Sequence, residues 1–217
     1  MTHRFLAAVL LAATLLVAAA PSWAGKREPR VRTWTHDFRA DTLGMAPSGA
    51  VVMGGSWVVV EDSSAEGTRL LRQTEGEEAK AANWIRLLKP RLESGEISVR
   101  FRIRSGELDP SVGIVFHIDP KGKNGYLVRL SGADNELIAH YFLSGRRRDI
   151  KMQALEAPPA GEWHTLGVRR DGDRISILYD GVEKMTLRDE RFARGSVGLW
   201  TEDDTVADFA DLKITGR

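Results

Sequence analysis

Residues 96–104 alternate without a break between apolar and polar side chains, Ile97, Val99, Phe101 and Ile103 against Ser98, Arg100, Arg102 and Arg104. Successive side chains of a strand point to opposite faces, so this pattern needs a sheet with one face on a core and the other toward water or a ligand. Similar segments recur at short spacing, at 57–61, 83–88, 112–118, 125–130, 136–143, 164–169, 174–179, 182–187, 196–200 and 207–214. Turn residues separate them, among them Ser94-Gly95, Asp109-Pro110, Asp171-Gly172-Asp173 and Asp180-Gly181. Asp180-Gly181 predicts a two-residue hairpin. No stretch after residue 24 keeps helical apolar spacing for three turns, and no low-complexity linker divides the chain. One all-β antiparallel domain follows; sandwich, jelly roll and closed barrel stay open on spacing alone.

Before this pattern, His3 and Arg4 lead into an apolar run from Phe5 to Ala20, followed by Ser22-Trp23-Ala24. A membrane span needs about 20 apolar residues, whereas a secretory signal needs only about 7–15 and a small-residue cleavage site. The expectation is a signal peptide over 1–24, a basic leader over 25–33 and a β domain over 34–217, in the periplasm or secreted, with no membrane span after cleavage.

The chain has 31 Lys and Arg against 30 Asp and Glu. Arg4 is the one such residue within 1–24, so cleavage leaves 30 of each sign. That balance argues against a nucleic-acid partner, which calls for a basic excess on one face. Lys26, Arg27, Arg30 and Arg32 form a local excess, expected to be solvated. The chain has no Cys, which excludes a thiol nucleophile and a disulfide framework, and a domain of this size can bury enough surface without one.

The order of landmarks resembles the concanavalin A-like jelly-roll superfamily, in particular its laminin-G-like and 3-keto-disaccharide-hydrolase-like bacterial domains. The resemblance rests on Trp34 with Asp37-Phe38, on Trp57, on the 97–104 strand and on Val112-Gly113-Ile114-Val115-Phe116. It continues through Gly161-Glu162-Trp163-His164-Thr165-Leu166, Asp180-Gly181, Gly195-Ser196-Val197-Gly198-Leu199 and the closing 207–214 segment. It implies a two-sheet jelly-roll sandwich whose concave sheet carries the ligand. It does not imply one activity, because such folds host lectins, hydrolases, lyases and adhesion modules.

Alternation then nominates a site. With Ile114, Phe116 and Ile118 inward, His117 points out; Tyr126, Val128 and Leu130 inward leave Arg129 outward; and Leu137, Ala139 and Tyr141 inward leave His140 outward. Arg102, His117, Arg129 and His140 would form one cationic strip, joined by Trp84, which shares a face with Arg86. Arginine offers planar donors to carboxylates or vicinal hydroxyls, histidine donates or accepts, and a tryptophan face stacks on a sugar ring. Placed at the surface, Arg129 should be dispensable for folding. The alternative is that such charges only keep an open sheet soluble. Trp163 reads as a core or rim aromatic closing the sandwich rather than a sugar platform.

The Glu-x-Asp-x-x-Glu strand of family 16 glycoside hydrolases is absent, and Glu107 with Asp109 reads as a turn before Pro110. Gly-x-Ser-x-Gly does not occur, and His36, His117, His140 and His164 lack zinc-motif spacing. No cofactor is expected. A structural calcium would draw on Asp37, Asp208 and Asp211. The sequence therefore points to a lectin-like domain for a polar or anionic glycan, with a hydrolase of modified disaccharides as the alternative and a module contacting an envelope protein as a third option. Two carboxylates within about 10 Å in the groove would favour hydrolysis.

Overall fold

A computed structural model describes residues 30–62, 68–74 and 82–217. The signal-type segment lies outside the described residues. No helix is present among those described, so none is long and apolar enough to cross a membrane. The strands are β1 (Arg32–His36), β2 (Ala50–Gly54), β3 (Trp57–Glu61), β4 (Arg69–Gln73) and β5 (Ala82–Leu92). There follow β6 (Gly95–Ser105), β7 (Ser111–Ile118), β8 (Gly125–Ser131), β9 (Glu136–Leu143) and β10 (Arg146–Ala154). The last five are β11 (His164–Asp171), β12 (Arg174–Tyr179), β13 (Val182–Arg188), β14 (Gly195–Glu202) and β15 (Val206–Gly216).

Two antiparallel sheets result. The first has the order β13-β12-β11-β6-β15-β4-β3, with β1 beside the C-terminal half of β15; the second has the order β10-β9-β8-β7-β14-β5-β2. From β4 to β7, and again from β13 to β15, each successive strand crosses to the other sheet. Ile97, Val99, Phe101 and Ile103 all face the core between the sheets, at most 3% exposed, as the alternation requires. Val112, Ile114, Phe116, Tyr126, Val128 and Leu130 meet them from the second sheet. Tyr179 pairs with Val182, with Asp180 and Gly181 at φ of 50° and 77°, so the two-residue hairpin is present.

The first strand begins at Arg32, so the expected leader runs partly into the sheet. Strands β2, β4 and β10 were not anticipated. β10 is an exposed edge without period-two alternation, and β2 carries apolar residues that point to no core, with Val51, Val52 and Met53 all part-exposed.

The second sheet is buried on both faces at its centre: every residue of β7, β8 and β14 is buried. On its outer side Val115, Ile118, Leu127 and Trp200 form a second apolar cluster, against which Trp84 and Phe142 pack. Curvature produces this burial. Arg147 on β10 donates to Glu202 on β14 at 2.6 Å, yet four strand spacings laid flat would separate those strands by about 19 Å, more than the two side chains reach. The sheet is curled, with this face concave.

Candidate functional site

The centre of the concave face is a charged network on an apolar bed. Tyr126, Val128 and Leu130 face the core, so Arg129 points into the concavity. There its guanidinium donates to Asp109 Oδ2 at 2.7 Å, to Ser111 Oγ at 2.8 Å and to His140 Nε2 at 3.3 Å. Its Nε also lies 3.4 Å from Glu202 Oε2. His140 shares the face, and its Nδ1 lies 2.7 Å from Asp149 on β10.

These contacts fix a tautomer. A neutral His140 with its proton on Nδ1 donates to Asp149 and accepts from Arg129, so both ring nitrogens are satisfied. Burial and the positive Arg147 and Arg129 hold the imidazole well below its ordinary pKa, against the pull of Asp149. Burial would raise Asp109, but the Ser111 hydroxyl, Arg129 and the Ala133 amide outweigh it and hold the carboxyl below its usual range.

Aromatic rings continue the face. Trp84 lies 6.2 Å from Trp200, centroid to centroid, and Phe142 lies 5.7 Å from Trp200. The Trp200 indole N–H points at Glu202 Oε2, 3.4 Å away. Trp84 and Phe142 stay half-exposed, while Arg147 and Asp149 are exposed. A visitor to this face would therefore meet an aromatic edge beside one cation, Arg147, held from below by the Glu202 carboxylate, and one anion, Asp149, held by the neutral imidazole of His140.

No protein-family model matches the chain, and no curated protein matches its sequence. Solved structures do match. The carbohydrate binding module CBM66 from Bacillus subtilis aligns with a TM-score of 0.64 at 19% identity, over 80% of this chain and 99% of its own. The exoplasmic/lumenal domain of VIP36, in a Ca²⁺- and mannose-bound form, aligns at 0.60 and 13% identity, over 83% and 88%. A Bacillus licheniformis beta-glucanase aligns at 0.55 and 12% identity, over 85% and 98%. The fold is a concanavalin A-like jelly roll. At these identities the likeness is one of fold.

Within the jelly roll, Arg129, His140 and Trp84 share the concave face, but two expected members of the strip lie elsewhere. Arg102 is on β6 of the first sheet, where its guanidinium bonds Asp208 at 2.7 Å and lies 4.6 Å from the Trp163 ring centroid. Alternation shows the face of a strand but not the sheet it joins. His117 has a left-handed backbone, φ 52°, at a register shift in the pairing with β14. The alternation breaks there: Ile118 joins the concave-side cluster, and His117 is buried beside Phe116 and Tyr126. Its Nδ1 donates to the Phe192 carbonyl at 2.7 Å. Burial, with a smaller contribution from Arg170, lowers its pKa to about 4 against the opposing pull of that carbonyl. Arg129 is also not a surface group: at 6% exposure, with two carboxylate neighbours, it holds the face together.

The residues missed by sequence were Asp109, Arg147, Asp149, Trp200 and Glu202. Glu202 carried a signal only by extension, because it shares strand parity with Trp200 two residues beyond the 196–200 segment. Asp109 does sit beside a turn, but its carboxylate folds back under Arg129. No group of three or more His, Cys, Asp or Glu suited to a metal occurs among the described residues. The expected calcium ligands instead face arginines: Asp37 with Arg39, Asp211 with Arg100, and Asp208 with Arg72, Arg102 and Arg104.

Proposed function

We propose that the protein binds carbohydrate on the concave face of its second sheet. Trp84 would offer a ring for the C–H face of a sugar, Arg147 and Asp149 would contact its hydroxyl or acidic groups, and Arg129 and His140 would brace them from below. The observation that carries this reading is the juxtaposition of half-exposed aromatic rings with braced charges on a concave surface, the composition of a small-molecule site. The named carbohydrate binding module and the mannose-bound lumenal domain share the fold and favour the same reading. The signal-type N-terminus favours action outside the cytoplasm.

The hydrolase alternative draws on the beta-glucanase likeness and on Asp109 and Glu202, which contact one guanidinium and so satisfy the expected proximity of two carboxylates. Arg129 nevertheless occupies the space between them where a glycosidic oxygen would have to enter. Asp109 is also held below its usual pKa, opposite to the need of a general acid. Binding without hydrolysis is therefore favoured.

A glycan array with the purified protein identifies the ligand, and calorimetric titration compares parent and Trp84→Ala. Loss of a central aromatic contact costs about 1–2 kcal/mol, roughly tenfold in affinity. Equal affinities would remove the concave face from the reading. Appearance of new reducing ends on the bound glycan would replace binding with hydrolysis.

A further inference from the structure

A second surface, which shares no residue with the concave-face network, gathers unpaired positive charge. The pairing of β2 with β5 ends at Leu87, and β1 pairs with β15 alone, so an edge of each sheet is left open. Between β1 and the C-terminal part of β5 lies a groove of about 1220 Å³. Arg30, Arg32, Lys89, Arg91, Arg194 and Arg217 line it, with Glu93 the one acidic side chain among the described lining residues. The half-buried Trp34 forms part of its wall and packs against the core on its other side.

The charge pattern here differs from the rest of the molecule. Outside the groove, eleven of the sixteen described arginines are matched to carboxylates, as in Arg72 with Asp208, Arg100 with Asp211, Arg129 with Asp109 and Arg188 with Asp173, while Arg69, Arg86, Arg146, Arg148 and Arg170 have no such partner among the described residues. None of the six cations of the groove has an ion pair among the described residues. Their mutual repulsion goes uncompensated within the fold, and a cleft lined by one sign of charge concentrates ions of the other.

We propose that this groove binds an acidic polysaccharide. Carboxylate or sulfate groups spaced along the chain would meet Arg32, Arg91 and Arg194 through charge-assisted hydrogen bonds, and one sugar ring would lie against Trp34. A nucleic acid is disfavoured because the chain as a whole lacks a basic excess and one aromatic is too few for a run of stacked bases. The inference does not depend on the concave-face reading, since the two sites share no residue.

The test uses the full protein after export, titrated with polygalacturonate and with heparin. The double variant Arg91→Glu/Arg194→Glu reverses two exposed charges of the groove. Arg188→Glu, on β13 at the far edge of the first sheet, is the control for charge alone. The expected result is binding that weakens as salt is raised, falls at least about tenfold in the double variant and stays near the parent's in the control, with all melting temperatures alike. Failure of the parent to bind either polysaccharide would overturn the inference, as would equal losses in the double variant and the control. Tighter binding of single-stranded DNA than of both polysaccharides would reassign the groove. Trp84→Ala should leave this binding unchanged, so failure of one site is distinguishable from failure of the other.

Discussion

Arg147 and Glu202 join the two ends of a curled sheet: the arginine on edge strand β10 donates to both carboxylate oxygens of the glutamate on β14 at 2.6 Å. The side chain of Glu202 is 12% exposed and also faces Arg129 at 3.4 Å. The pair thus spans the concave face beside the buried Arg129.

Glu202→Gln preserves shape but removes the anion between the two arginines. The variant should lose about 1–3 kcal/mol, the cost of leaving charged donors poorly matched in a buried place. Urea unfolding of parent and variant measures it. Equal midpoints and slopes would show that the curl does not depend on this pair.

Stability should depend on pH through the buried histidines. The pKa of His117 falls to about 4 in the folded protein from an ordinary 6.5. Between these values the unfolded chain binds more protons than the folded one, so stability rises with pH there. The contribution is fully present above about 6.5 and is lost as pH falls toward 4, at roughly 1.4 kcal/mol per unit. His140 is lowered as well and acts with the same sign. The melting temperature should therefore drop between pH 7 and pH 4.5, and His117→Gln should drop less. Superimposable pH profiles would assign the acid sensitivity elsewhere.

How far these features could be read beforehand depended on whether local pattern or distant pairing determined them. The strand at 96–104 and the hairpin at Asp180-Gly181 are fixed by neighbours in sequence, and both are found as read. Arg129 and His140 were placed on one face because β8 and β9 form a hairpin whose alternation is unbroken. The partners that make a site of them, Asp109, Asp149 and Glu202, come from other turns and strands, and composition does not reveal such meetings. His117 was misread because one left-handed residue reverses the parity of all that follows it in β7. Arg102 was misplaced because successive strands alternate between sheets, a choice made by the global wrap.

Gly181 tests the hairpin directly. A Cβ there meets nothing within 4 Å, so a substitution costs backbone strain at φ 77° and little else. Gly181→Val should lose roughly 1–3 kcal/mol. Asp180 would remain as an anchor, since its carboxylate accepts from the Thr165 amide and from His164 Nδ1, both at 2.8 Å. An unchanged melting temperature would mean that the turn relaxes without strain.

Asp208 and Arg102 separate a structural charge cluster from the ligand face. The Asp208 side chain has no exposed surface and receives Arg72 at 2.6 Å, Arg102 at 2.7 Å and Arg104 at 3.3 Å. Burial would raise its pKa, but the bonds from Arg72 and Arg102 outweigh it and keep the carboxyl below its usual range. Asp208→Asn leaves three guanidiniums around a neutral amide, and breaking a buried pair in this way costs about 3–5 kcal/mol. Arg102→Ala should cost less, because Arg72 and Arg104 still neutralise the carboxylate. Neither change touches the second sheet, so affinity for a glycan bound on its concave face should stay within about 0.5 kcal/mol of the parent in both variants. Urea unfolding and calorimetric titration on the same preparations provide the comparison. A stable Asp208→Asn would show that the cluster does not hold the first sheet. A stable Arg102→Ala with weakened glycan binding would return Arg102 to the binding surface and move that surface to the outer face of the first sheet, beside Trp163.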